Sequence, residues 1–187
     1  MMAIAIKEAT EGITPPILDH PYPETKDVAQ RNLFSFSLEG RQAGLSSWTD
    51  AGLHFEPMSV TSMPRMRECF GWAKVNGNSI LGGWPRHVFP LPVKIEKVKR
   101  EFEFDIEYSA IVYEWIDGKG NDPATVEDVD AFLWCAGFSF QGGSHEQNWK
   151  GSVLIDLGDI VFAHGYGWDK NAFRARTAAE ILLEQGR

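Results

Sequence analysis

Long apolar runs are missing from this sequence: nothing in it approaches the roughly 20 residues that a membrane-spanning helix requires. Met1 to Ala9 carries a short apolar patch, but neither a basic lead nor a small-residue cleavage pattern, so no secretory signal is read there. Cysteine is scarce. Cys69 and Cys135 sit among apolar and aromatic neighbours, and without an export signal they read as reduced, buried thiols. Positive charge is also short. Eighteen Lys and Arg face 26 Asp and Glu, giving a formal charge of −8. That balance argues against nucleic acid as a partner, because such binding is led by phosphate neutralisation. Together these absences describe a soluble, intracellular chain with no membrane insertion, either free in the cytoplasm or built into a particle.

Diagnostic motifs are lacking as well. There is no nucleophile elbow, no CxxC and no acid pair of telling spacing. Asp117 to Asp128 has the length of a calcium loop but fails its rules, with Lys119 third, Asp122 in place of the sixth-position glycine, and Asp128 rather than Glu at the twelfth. The glycines of His164–Asp169 lack the spacing of a phosphate or dinucleotide loop, and Asp169 would repel an anion, so they read as a tight turn from strand to helix. Neither a cofactor nor a metal is expected.

What is present suits one domain. The 187 residues are 43% hydrophobic and 24% charged, enough to bury a core. Residues 1–32 stand apart as an extended, proline-rich arm. Pro15, Pro16, Pro21 and Pro23 deny it a helix or a central strand, yet it carries Ile13, Ile17, Leu18 and Tyr22. Those side chains either wrap their own domain or dock on another chain.

Residues 33–187 read as a single β-rich domain. Leu33 to Leu38, Leu53 to Val60 and Phe70 to Val75 have strand character, and Asn76-Gly77 signals a hairpin turn leading to Ser79–Leu81. From 102 to 112 every even position is apolar, while the odd positions change from charged to apolar at Ile111, Tyr113 and Trp115, giving a long strand with two apolar faces at its end. Residues 125–137 fit a helix capped by Thr125 and ended by Gly137 slightly better than a strand. Ser152–Leu157 and Ile160–Ala163 are short strands, and a last helix spans 170–185 with Asp169 as its N-cap. The expected fold is α+β: a mainly antiparallel sheet, barrel- or sandwich-like, with a C-terminal helix and an N-terminal arm.

Two functions follow. The first is a non-enzymatic protein-binding or assembly subunit, such as a viral or phage structural component or an acidic inhibitor or immunity-type protein. The arm residues Ile13, Ile17, Leu18 and Tyr22, with Trp84 and Trp149 (two of seven tryptophans), are its candidate contacts to a protein partner or a second copy. The switch from Lys94, Lys97, Lys99 and Arg100 to Glu101, Glu103, Asp105 and Glu107 fits a solvated strand face or a patch that pairs with another chain. The alternative is a small-molecule-binding β-barrel enzyme of lyase, isomerase or cyclase type. In it Glu114, on the strand's apolar face, would act as acid or base with a histidine, of which His54 is the candidate.

Overall fold

The segments that frame this molecule converge on one buried side chain, Asn32. In the computed structural model, which describes residues 15–18, 25–44, 58–60, 62–83, 85, 92–95, 98–141 and 146–182, the Asn32 amide is fully enclosed. The Leu18 backbone N–H donates to its Oδ1 (3.1 Å), and its Nδ2 donates to the carbonyls of Leu18 (3.2 Å) and Cys135 (2.6 Å). One side chain thus ties the N-terminal segment to a helix end 103 residues away.

The chain divides into two units. The first takes residues up to Met66 and from Ile116 onward, and the second takes Arg67–Trp115. In the first, strand β1 (Pro16–Ile17) pairs antiparallel with β2 (Met58–Ser59). Helix α1 (Lys26–Ser35) follows, capped by Thr25, whose Oγ1 accepts the Val28 N–H. Helix thus begins at Lys26, inside the stretch read as an extended arm. Residues 33–38, read as a strand, form the end of α1 and the start of α2 (Leu38–Ala43). Ser37 caps α2, and Gly40 lies so close to the Phe34 carbonyl that a Cβ there would collide with it.

Helix α4 (Pro123–Cys135) is the centre of this unit; the short helix α3 (Gly77–Leu81) belongs to the other. Val126, Val129 and Leu133 recur at helical spacing and are fully buried. The cap is Asp122 rather than Thr125: its Oδ2 accepts both the Thr125 N–H (2.9 Å) and the Thr125 hydroxyl (2.6 Å), which holds the carboxyl below its usual pKa, and Pro123 takes the first helical position. Gly137 ends the helix at φ 90°, and a Cβ there would strike the Ala29 carbonyl of α1.

Around α4 pack two ribbons: β7 (Phe138–Phe140) with β10 (Ile160–Phe162), and β8 (Trp149–Lys150) with β9 (Val153–Leu154). Gly151 and Ser152 turn the second hairpin with positive φ at both positions. Ser152 is held there by its N–H donating to Asn121 Oδ1 (3.0 Å) and its Oγ accepting the Asp122 N–H (2.7 Å). Ile17, Phe36, Val60, Phe138, Phe140, Trp149, Leu154 and Ile181 complete the core.

The C-terminal segment departs from the sequence reading. No helix runs through 170–176. Asp169 instead accepts the Asn171 N–H (3.0 Å) in a local turn, and Phe173 enters a second cluster against Trp134 and Trp168. The helix, α5 (Ala178–Ile181), starts at Thr177, which forms a capping box with Glu180; residues 183–187 lie outside the described residues. The segment is fastened to α4 by a buried ion pair. Arg176 Nη2 meets Asp130 Oδ1 at 2.5 Å, its backbone N–H donates to Asp130 Oδ2 (3.0 Å), and its guanidinium lies 4.0 Å from the Phe140 ring centre. Burial pushes the Asp130 carboxyl upward in pKa, while Arg176 pulls it down. The Ala178 N–H also donates to Glu127 Oε1 (2.6 Å).

The architecture is α+β, as expected, but every sheet among the described residues is a two-stranded antiparallel ribbon, and no barrel or closed sheet is formed. The physical reason is length. Most strands here are two or three residues long and are bounded by caps and tight turns, too short to wrap into a wall.

Replacing Asn32 with Leu strands the Leu18 and Cys135 backbone groups in the core. Urea unfolding should show a loss of about 3–5 kcal/mol. A second expectation concerns pH. The Arg174 side chain and the Thr177 backbone amide hold the Glu180 carboxyl at about 2, against an unfolded value of 4.5. A depressed carboxyl stabilises fully above the unfolded value and loses its effect as pH falls toward the folded one. Thermal melts of Glu180→Gln should therefore differ from those of the parent at neutral pH and converge with them as pH drops toward about 2.

Candidate functional site: an uncovered ribbon

The second unit contains the longest strands. β3 (Cys69–Asn76) pairs antiparallel with β6 (Glu107–Tyr113), Trp72 standing opposite Ile111, Ala73 opposite Ala110, and Val75 opposite Tyr108. The Asn76-Gly77 hairpin is not formed. The Asn76 side chain instead accepts the Asn78 N–H and caps helix α3 (Gly77–Leu81), because the partner of β3 comes from the far side of the β4 (Val93–Ile95) and β5 (Val98–Arg100) hairpin. The N–H groups of Gly77 and Asn78 donate to Ile106 (3.0 Å) and Phe104 (2.9 Å), carrying the pairing past the strand end. Glycine is required at 77 by space: a Cβ would overlap the Glu103 carbonyl. Residues 101–106 are not strand, so the long strand expected from 102 begins at Glu107.

Cross-strand partners share a face. One face carries Ala73, Val75, Tyr108 and Ala110 and is half-buried; Phe102 stacks on Tyr108 with ring centres 4.7 Å apart, and the Tyr108 hydroxyl accepts the Glu103 N–H. The other carries Trp72, Ile111, Ser109 and the Lys74–Glu107 ion pair (2.7 Å), all exposed. A bulge between Cys69 and Gly71, with Gly71 at φ 121°, presents Phe70 outward.

The result is a concentration of uncovered apolar surface. Trp115 is 78% exposed, Trp72 69%, Phe70 62% and Ile111 61%, with Val112 and Ile106 also exposed. Among the described residues of 67–115, no apolar side chain is buried; the whole buried core belongs to the other unit. Single exposed apolar residues are ordinary, but a cluster of them on one two-stranded ribbon is not, because such a ribbon is marginal in water unless something packs on it.

The residues singled out from sequence fall elsewhere. Ile17 and Leu18 are buried at 2% and 0% exposure, in contact with their own domain. Trp149, expected in an exposed polar loop, is buried at 4% in strand β8, opposite Leu154. Ile13, Tyr22, Trp84 and His54 lie outside the described residues. Cys69 is exposed and Cys135 half-buried, so the reading of both as buried thiols holds for neither in full.

Glu114 lies just past β6 and is half-buried. Its N–H donates to the Glu68 carbonyl (2.8 Å), its carboxylate accepts the Glu68 N–H (3.3 Å), and its carbonyl accepts from Arg67 Nε (3.0 Å), while the Arg67 guanidinium sits 4.8 Å from the Tyr113 ring centre. These bonds make a clasp at the base of the ribbon. Among the described residues no group of three His, Cys, Asp or Glu is placed to hold a metal, and no helix is long and apolar enough to cross a membrane.

The ribbon's exposed apolar residues had a signal in the sequence: Ile111 and Tyr113 make the odd-numbered face of β6 apolar at its end, as Val112 does the even-numbered one.

Gly77→Ala should force α3 off residues 103–106 at a cost of about 1–3 kcal/mol. Hydrogen exchange should then quicken at the amides of Gly77 and Asn78, with the amides of α4 unchanged. Compared with protein-family models, curated proteins and solved structures, the chain matches none.

Proposed function

We propose that this protein is a non-enzymatic protein-binding or assembly subunit whose contact surface is the β3–β6 ribbon. One observation carries the reading: Phe70, Trp72, Ile111 and Trp115 are each more than 60% exposed on a unit that buries no apolar side chain among its described residues. Aromatic side chains on a rigid strand are the usual anchors of protein interfaces, since they offer large area at small cost in side-chain entropy. The Lys74–Glu107 pair and Ser109 beside them supply a polar rim. Of the arm residues, Ile17 and Leu18 are buried in their own unit, whereas the ribbon's aromatic side chains are exposed.

The test is the size of the complex in the source cells. A tagged chain should migrate on native gels well above its own mass, and the double variant Trp72→Ser with Ile111→Thr should return it to the mass of one chain. A complex of unchanged size would sink the reading, as would a parent chain that already runs alone.

A further inference from the structure

We infer that the partner covering the ribbon is a second copy of this chain, packed about a two-fold axis; the inference rests on the ribbon being a contact surface. Charge is the first argument. Residues 67–115 hold seven Lys and Arg against seven Asp and Glu, so the formal −8 falls entirely on the other unit. A basic partner would be drawn to that acidic remainder. The ribbon unit is neutral and can meet its own copy without net repulsion.

Its neutrality is also segregated. The β4–β5 hairpin sets Lys94 directly across from Lys99, both exposed, concentrating like charge that a strand pair alone disfavours. Exposed Glu101, Glu103, Asp105 and Glu107 follow at once. Lys99 pairs with Glu101 and Lys74 with Glu107, but both are exposed pairs of small worth. A basic patch beside an acidic one is self-complementary: a two-fold rotation lays each on the other, which is the requirement of an isologous interface.

Area is the second argument. At their quoted exposures the three aromatic rings and Ile111 offer roughly 500 Å² of apolar surface. A stable interface takes about 800 Å² from each partner, a little over half of it apolar. The ribbon alone supplies the apolar core of a dimer of ordinary size.

The experiment is sedimentation equilibrium of the purified full chain from low to high micromolar concentration. The mass should rise toward twice 21.0 kDa, and added salt should weaken the association. Trp72→Ser with Ile111→Thr should raise the dimer Kd by about tenfold or more, with far-UV circular dichroism unchanged. Should that variant unfold, Lys94→Glu with Lys99→Glu, confined to exposed side chains, should weaken the dimer to a similar degree. A chain that stays at one mass throughout overturns the inference, and so does a dimer indifferent to the variant that keeps its fold. A monomer in the tube whose cellular complex still depends on Trp72 and Ile111 would reject the second copy and leave the binding reading intact; loss of both would reject both.

Discussion

A primary amide cannot be buried unless its oxygen and both its hydrogens are used, and Asn32 meets that demand with backbone alone. The consequences spread outward. Leu18 must run beside α1 as a strand would, which fixes the segment that carries Ile17 into the core. The carbonyl of Cys135 must arrive at the same point, which fixes where α4 stops. Gly137 then has to turn with positive φ against the backbone of Ala29, where a side chain would not fit. An apolar residue at 32 could fill the volume but could not set this registry, so the core of the first unit depends on a polar group at its centre.

The second unit shows the opposite distribution. Its backbone is well paired over β3 and β6, yet among its described residues Phe70, Trp72, Ile111 and Trp115 face solvent. Hydrogen bonds exchanged with water contribute little net stability, and burial supplies the greater part. One unit therefore has its driving force inside it, while the other presents that force outward. The same contrast holds for charge, with the acidic excess on the first unit and balance on the second.

Local signals were legible where they had a single meaning. Apolar residues at 126, 129 and 133 specify a helix, and the run from Phe70 to Val75 specifies a strand. Signals with two outcomes were not. Asn76-Gly77 suits a hairpin turn and equally a helix cap, and the choice belongs to a strand more than 30 residues away. Asp169 and Thr177 both resemble caps; the capping box with Glu180 decides between them, together with the anchoring of Arg176 by Asp130. The alternation from 102 suits one long strand, yet α3 takes the carbonyls of Phe104 and Ile106 and shortens it. Burial was not legible for a related reason: apolar residues such as Ile17, Leu18 and Trp149, all buried here, look the same in sequence whether they serve a core or a partner. Only three-dimensional cover separates Trp149 from Trp72.

The clasp formed by Arg67, Glu68 and Glu114 brings the two ends of the ribbon unit together. A segment with joined ends is, for the rest of the molecule, a loop. The entropy of closing a loop grows only with the logarithm of its length, so carrying all of residues 67–115 costs on the order of 2 kcal/mol more than a short turn. Modularity follows. The surface of the ribbon can be rewritten, or the whole segment exchanged, while the core around Asn32 is held constant, so surface and core answer to separate selective pressures within one chain.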